Sequence, residues 1–137
     1  MFTDDGGCLR IKSHRSCLRG KFLDVNRDYV NEIKENGFRL SGIGKQKVYK
    51  INISNDKNDF KNSSDIVLFH AHRTGTKSAA RSAATVLKPD GYAITLQNGT
   101  GNIETLSEVL GAKRVVGGVS YHSAALEGLG QVNHTTG

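Results

Sequence analysis

The chain has 137 residues, a formal net charge of +6 and 36% hydrophobic residues, which bounds it at one domain with a single core. No run of about 18 apolar residues occurs, so no membrane-spanning helix is expected. Asp4 and Asp5 precede the first basic residues without an apolar stretch of secretory type.

Half of the net charge sits in residues 1–21, where Arg10, Lys12, Arg15, Arg19 and Lys21 face only Asp4 and Asp5. A nucleic-acid binder calls for a basic stripe with interleaved aromatics. This cluster has Phe22 alone beside it, so neither nucleic acid nor membrane is expected as a partner. The excess of positive charge suits a protein that handles anionic phosphates. Cys8 and Cys17 are the only cysteines and read as free thiols in a cytoplasmic composition. With His14 they form no spacing typical of metal ligands, so no metal is expected.

Residues 1–21 mix Gly, Ser, Arg, Lys, His and Cys with no period of a helix or strand. From Phe22 the pattern changes. Phe22–Val25 reads as the tail of a strand. Asp28 to Asn36 reads as a helix with Tyr29, Val30 and Ile33 on one face, stopped by Asn36-Gly37. Phe38–Leu40 is a short strand candidate. Lys47 to Ile53 alternates and reads as a single half-buried strand. Asp65 to His70 is an apolar run expected as a buried parallel strand. Thr76 to Leu87 is expected as a helix with Ala79, Ala80, Ala83 and Val86 inward, ended by a turn at Pro89-Asp90-Gly91. Tyr92 to Leu96 is the next strand. Asn102 to Leu110 is a helix with Ile103, Leu106 and Leu110 inward and Gly111 as its stop. Arg114 to Val119 is a strand, and the chain beyond Tyr121 reads as a Gly-rich extended segment. Strand and helix alternate from residue 65 to 119, the pattern of a parallel α/β sheet.

Three blocks stand out: Leu96-Gln-Asn-Gly-Thr-Gly-Asn102, Gly117-Gly-Val-Ser-Tyr-His-Ser-Ala124, and Glu127-Gly-Leu-Gly-Gln-Val-Asn-His-Thr135. They put small and polar residues at strand ends, where open α/β sheets bind ligands. Together they resemble the ketopantoate reductase family, whose members reduce 2-dehydropantoate to pantoate with NADPH. The resemblance runs from about Asp24 to Gly137. It implies an N-terminal Rossmann domain followed by a helical domain. The family opens on a strand and a Gly-x-Gly-x-x-Gly turn; here Gly6-Gly7-Cys8 is the only candidate and no hydrophobic strand precedes it. The expected fold is therefore α/β, an incomplete Rossmann-like parallel sheet flanked by helices with the first strand and glycine fingerprint missing. Residues 1–21 are expected to be an atypical segment, disordered, truncated or read in another frame, and residues 22–137 a partial NADP-binding domain.

Asn98 is the leading site residue. By resemblance it lies beside both nicotinamide nucleotide and substrate, and an amide donates and accepts at once. Alternatively Asn98-Gly99 is only a tight turn. Thr100 replaces a large apolar residue of the family. Ala124 is expected to border the cofactor. His122 reads as a general acid or as a packing and hydrogen-bonding residue. His72 occupies a family lysine position and is expected near the cofactor with weaker anion attraction; Arg73 is either its substitute or a solvated loop charge. Asp24, Asn26 and Arg27 follow the strand tail. An acidic residue there favours NAD and an arginine NADP; the resemblance favours NADP with Arg27 at its phosphate, while Asp24 and Asp28 also suit ordinary helix N-terminal chemistry. Glu127 reads as structural.

The function implied is 2-dehydropantoate 2-reductase in pantothenate synthesis: a soluble cytoplasmic oxidoreductase using NADPH and a small 2-keto acid, with a homodimer as its candidate assembly. The lysine and glutamate expected as acid and substrate anchor belong to the family's helical domain, so no catalytic residue is assigned and negligible activity is expected of this chain. The alternative is a non-catalytic remnant, weakly nucleotide-binding or dimerising, with an unpaired sheet edge. A related dehydrogenase acting on another 2-keto acid also stays open.

Overall fold

The computed structural model describes residues 20–70 and 73–137. The expectations for residues 1–19 and for His72 lie outside them. Three backbone ladders carry the fold. The first pairs β1 (Lys21–Leu23) with β4 (Asn52–Ser54) in parallel. The second is parallel throughout: β5 (Ser64–Phe69), β6 (Leu87–Thr95) and β7 (Val115–Gly117) in that order. The third is mixed, in the order β3 (Lys47–Tyr49), β2 (Phe38–Gly42), β9 (Gln131–Thr136), β8 (Ser123–Gly128).

Helix α1 (Arg27–Asn36) starts where Asn26 Oδ1 accepts the backbone N–H groups of Asp28 (3.0 Å) and Tyr29 (3.1 Å), which satisfies two of the four orphan donors of a helix start. It stops at Gly37, whose φ of 81° a side chain would resist. Its Tyr29, Val30 and Ile33 are buried as expected and pack with Ile53, Phe22, Phe38 and Ile51. Helices α2 (Thr76–Val86) and α3 (Asn102–Leu110) cover the second sheet. Ala80, Ala83, Val86, Leu106 and Leu110 meet Val67, Phe69, Leu87 and Ala93 in the larger core. The fully buried Ala80 and Ala93 leave room for α2 to approach the sheet closely.

An unbroken doubly wound sheet has the order 3-2-1-4-5-6. In that frame β4 and β1 stand third and second, and β5, β6 and β7 fourth to sixth. Among the described residues no strand fills the position between β1 and β5. Contacts across it come from side chains: Lys21 Nζ donates to the Ser63 carbonyl at 3.4 Å and lies over the Phe60 ring, and Leu23 packs on the larger core. The incomplete parallel sheet expected from sequence is thus present.

Four details differ from the sequence reading. Lys47 to Ile53 is two strands in two ladders, because Tyr49 belongs with β2 and Ile53 with β1. Pro89-Asp90-Gly91 is not the turn that ends α2: the helix stops at Val86 and β6 runs through these residues, with the pairing jumping from Ser64↔Leu87 to Ile66↔Tyr92. Arg114 holds that excursion, donating from Nε to the Gly91 carbonyl (2.8 Å) and from a terminal nitrogen to the Lys88 carbonyl (2.7 Å). Ile103 is 47% exposed rather than inward, lying over Gly117. The chain beyond Tyr121 is a β8–β9 hairpin turned at Gly130 (φ 66°), and β9 is parallel to β2.

Candidate functional site

The carboxyl ends of β5, β6 and β7 converge with the starts of α2 and α3, the place where a doubly wound sheet takes its ligand. Asn98 is exposed in the loop between β6 and α3. Glycines at 99 and 101 take φ of 95° and 87°, and nothing stands within 4 Å of where either side chain would begin. The loop is therefore open to close approach by a bound group.

A chain of hydrogen bonds fixes this loop from below. Thr95 Oγ1 donates to Gln97 Oε1 (3.0 Å), Gln97 Nε2 to Thr76 Oγ1 (3.0 Å), and Thr76 Oγ1 to Asn102 Oδ1 (3.3 Å). Asn102 Nδ2 then donates to the carbonyls of Asn98 (3.1 Å) and Gly99 (3.4 Å). Thr76, Thr95 and Asn102 are buried, and buried polar networks of this kind rigidify what they hold. Asn98 is positioned from the first turn of α3 and, through Thr76, from the first residue of α2. Neither helix start has a side-chain cap. Gly118 donates its N–H to the Thr95 carbonyl at 2.9 Å. A side chain at Gly117 would stand 2.5 Å from Ile103 Cδ1, and one at Gly118 2.8 Å from Leu96 Cδ2. The Gly-Gly pair thus lets the end of β7 close on the site loop.

His70 follows β5 directly. Its Nε2 is buried without a hydrogen-bond partner among the described residues, and burial pushes its pKa down to about 4. It is neutral at pH 7. Arg73 opens the 3-10 turn Arg73–Gly75 that leads into α2.

The other expected site residues lie on other elements. Arg27 is exposed at the first position of α1. Asp24 beside it is 3% exposed, and its Oδ1 accepts the Asn26 N–H at 2.9 Å. Helix N-terminal chemistry therefore accounts for Asp24 and Asn26. The buried Tyr29 hydroxyl has no hydrogen-bond partner among the described residues; burial, then the Asp24 charge, pushes its pKa up to about 12. Ala124 is half-buried on β8, opposite His134. His122 Nδ1 lies 3.1 Å from His134 Nε2, a hydrogen-bonding role. Glu127 accepts from Asn133 Nδ2 (2.8 Å) and Ser41 Oγ (3.3 Å), joining β8 to its neighbour β9 and, beyond it, to β2. Among the described residues no three of His, Cys, Asp or Glu gather as metal ligands, and no helix is long and apolar enough to cross a membrane.

Sequence reasoning singled out Asn98 as a candidate but not Gln97, Thr76, Thr95, Asn102 or His70, which the structure places around it. Only the Thr95-x-Gln97 and Asn98-x-x-x-Asn102 spacings carry a local signal; the link to Thr76 is made by the fold.

The sequence model of the ketopantoate reductase PanE/ApbA family matches residues 16–137. The chain belongs to that family. The family is one of oxidoreductases. No curated protein sequence matches the chain. Among solved structures, a PanE/ApbA family ketopantoate reductase from Ralstonia eutropha is 30% identical with a TM-score of 0.73, over 80% of this chain and 36% of that one. A 2-dehydropantoate 2-reductase from Geobacter metallireducens is 26% identical with a TM-score of 0.71, over 82% and 37%. The ternary structure of D-mandelate dehydrogenase with NADH and anilino(oxo)acetate is 22% identical with a TM-score of 0.74, over 82% and 36%, a likeness of fold. The chain spans little more than a third of the length of these proteins.

Proposed function

We propose that this chain is the nucleotide-binding part of an NADPH-dependent 2-dehydropantoate 2-reductase, with Asn98 at the meeting point of nicotinamide and keto acid. The observation that carries this reading is the buried hydrogen-bond chain from Thr95 to Asn102 that holds the Asn98 loop open at the carboxyl end of β6. The open loop at Gly99 and Gly101 fits the nicotinamide end of the nucleotide. Among the described residues no Gly-x-Gly-x-x-Gly turn stands between a strand and a helix, so these residues give the pyrophosphate no such cradle.

The reduced nicotinamide supplies the hydride when bound. The chain's own residues bind and orient. Asn98 offers an amide N–H to a carbonyl or carboxylate oxygen and an amide oxygen to a carboxamide or hydroxyl. Asn102, Gln97, Thr76 and Thr95 keep the Asn98 backbone from moving. Ala124 and His72 are further proposed cofactor neighbours. Arg27 is the proposed contact to a 2′-phosphate, and two features favour NADP over NAD. Arg27 is exposed at a helix start, and the Asp24 carboxylate is buried and engaged with the Asn26 N–H rather than presented to a ribose diol.

Calorimetric titration of the full chain with NADPH and NADH tests this. The expected result is tighter binding of NADPH, at least tenfold weaker binding in Asn98→Ala, and loss of the NADPH preference in Arg27→Ala. Equal, unaltered binding in both variants would refute the assignment. A second reading, a nucleotide-binding or self-associating module without turnover, is favoured by the strand position between β1 and β5 that no described residue fills. It predicts binding with no oxidation of NADPH in the presence of 2-dehydropantoate.

A further inference from the structure

Two imidazoles, His122 just before β8 and His134 in β9, have no role in the proposed function. His122 Nδ1 and His134 Nε2 face each other at 3.1 Å, with ring centroids 5.2 Å apart and ring planes tilted by 39°. Only one of two facing nitrogens can carry the proton of that contact, so the other presents a lone pair. Two metal–nitrogen bonds of about 2.0–2.1 Å across that separation subtend about 98° at the metal, between the square-planar and tetrahedral angles. The rings need only a small hinge: in such a chelate the centroids would stand about 4.8 Å apart.

The backbone on both sides is anchored. His134 sits inside β9, in register with Ala124 of β8 and Gly42 of β2. Thr135 Oγ1 donates to the Ser123 carbonyl at 3.2 Å, and the His122 N–H reaches Ser120 Oγ at 3.4 Å. Successive residues of a strand point to opposite faces, so Asn133 and its partner Glu127 lie on the other face of β9. The pair thus offers two imidazole nitrogens, with the Glu127 carboxylate turned away from them. That set suits a borderline transition metal and not calcium or magnesium, which require oxygen ligands.

We propose that His122 and His134 form a two-imidazole site for a divalent transition-metal ion of the zinc, nickel or copper(II) class, with water or an added ligand in the remaining positions. Occupancy staples the 118–122 loop to β9. The site adjoins Ala124, but it rests on the geometry of the two imidazoles and is read by metal titration alone.

Titration of the metal-stripped full chain, reduced beforehand, freed of reductant and kept anaerobic, with zinc and copper(II) tests the site. Wild type is expected to bind copper(II) more tightly than zinc, following the usual order of divalent affinities. His122→Gln and His134→Gln should each weaken the hairpin site at least tenfold, and the double variant should lose no more than either single one, because one imidazole alone does not chelate. The remaining His and Cys residues are common to all four proteins, so binding due to them persists and is subtracted. As a readout independent of the variants, zinc should shift the imidazole nitrogen resonances of His122 and His134 in wild-type protein. Affinities within twofold of wild type in both variants, or binding that leaves those resonances unmoved, would overturn the proposal.

Discussion

Replacing Asn102 with alanine tests the support of the candidate site without touching the residue offered to ligand. The side chain is 4% exposed. It donates to the Asn98 and Gly99 carbonyls at 3.1 and 3.4 Å and accepts from Thr76 at 3.3 Å. At about 1 kcal/mol net for a typical hydrogen bond, and less for the longer ones, the loss comes to about 2–3 kcal/mol. Thr76 keeps the Gln97 amide and the two freed carbonyls belong to exposed residues, so no large penalty for an orphaned group is added. With an unfolding entropy of about 2 cal/mol/K per residue, that loss lowers Tm by about 7–10 °C in a chain of this length. Urea unfolding followed by circular dichroism measures it. Asn102→Asp keeps the shape but sets a carboxylate against two carbonyls, and should cost at least as much. In both variants nucleotide affinity should fall although Asn98 is intact. A variant within about 0.5 kcal/mol of wild type, the range of an ordinary surface substitution, would refute the view that Asn102 holds the loop.

Leu106 is fully buried in the larger core, so Leu106→Ala should cost about 3–5 kcal/mol in urea unfolding. Arg114→Met removes two charge-assisted bonds to the Lys88 and Gly91 carbonyls; a loss of about 2–3 kcal/mol is expected, with faster amide exchange across residues 88–91. His70 has a folded-state pKa near 4 against an ordinary 6.5. Above pH 6.5 both states are neutral. Below it the unfolded chain takes up a proton that the folded chain refuses, so stability falls as pH drops from 6.5 towards 4. The full gap corresponds to about 3.4 kcal/mol; partial exposure of His70 reduces this to about 1–2 kcal/mol. His70→Asn should flatten that part of the stability curve, measured as urea midpoints between pH 7.5 and 4.5.

The helices and the parallel strands were legible because their signals are local. Asn26 and Gly37 mark the ends of α1, Gly111 marks the end of α3, and Ala80, Ala83 and Val86 repeat at helical spacing. Asn98 stands as a candidate through the family motif around it. What escaped was decided at a distance. The alternation from Lys47 to Ile53 is real, but β2 claims one end and β1 the other. The turn residues at 89–91 do form an irregularity, yet Arg114, 23 residues beyond Gly91, ties it into β6. The β8–β9 hairpin carries no local signal beyond that of an extended segment, because its pairing with β2 joins residues some ninety positions apart. Thr76 gives no sign in sequence that it supports the Asn98 loop, since its partners Gln97 and Asn102 meet it only once α2 and α3 are packed.

The most direct test of the central claim is to map NADPH onto the ¹⁵N-labelled full chain by amide chemical shifts. The account predicts that the largest changes fall at Asn98, Gly99 and Gly101, the Asn102 side-chain amide, and Gly117 and Gly118, all at the carboxyl ends of β6 and β7. Shifts confined to the β8–β9 hairpin, or none at saturating nucleotide, would contradict it.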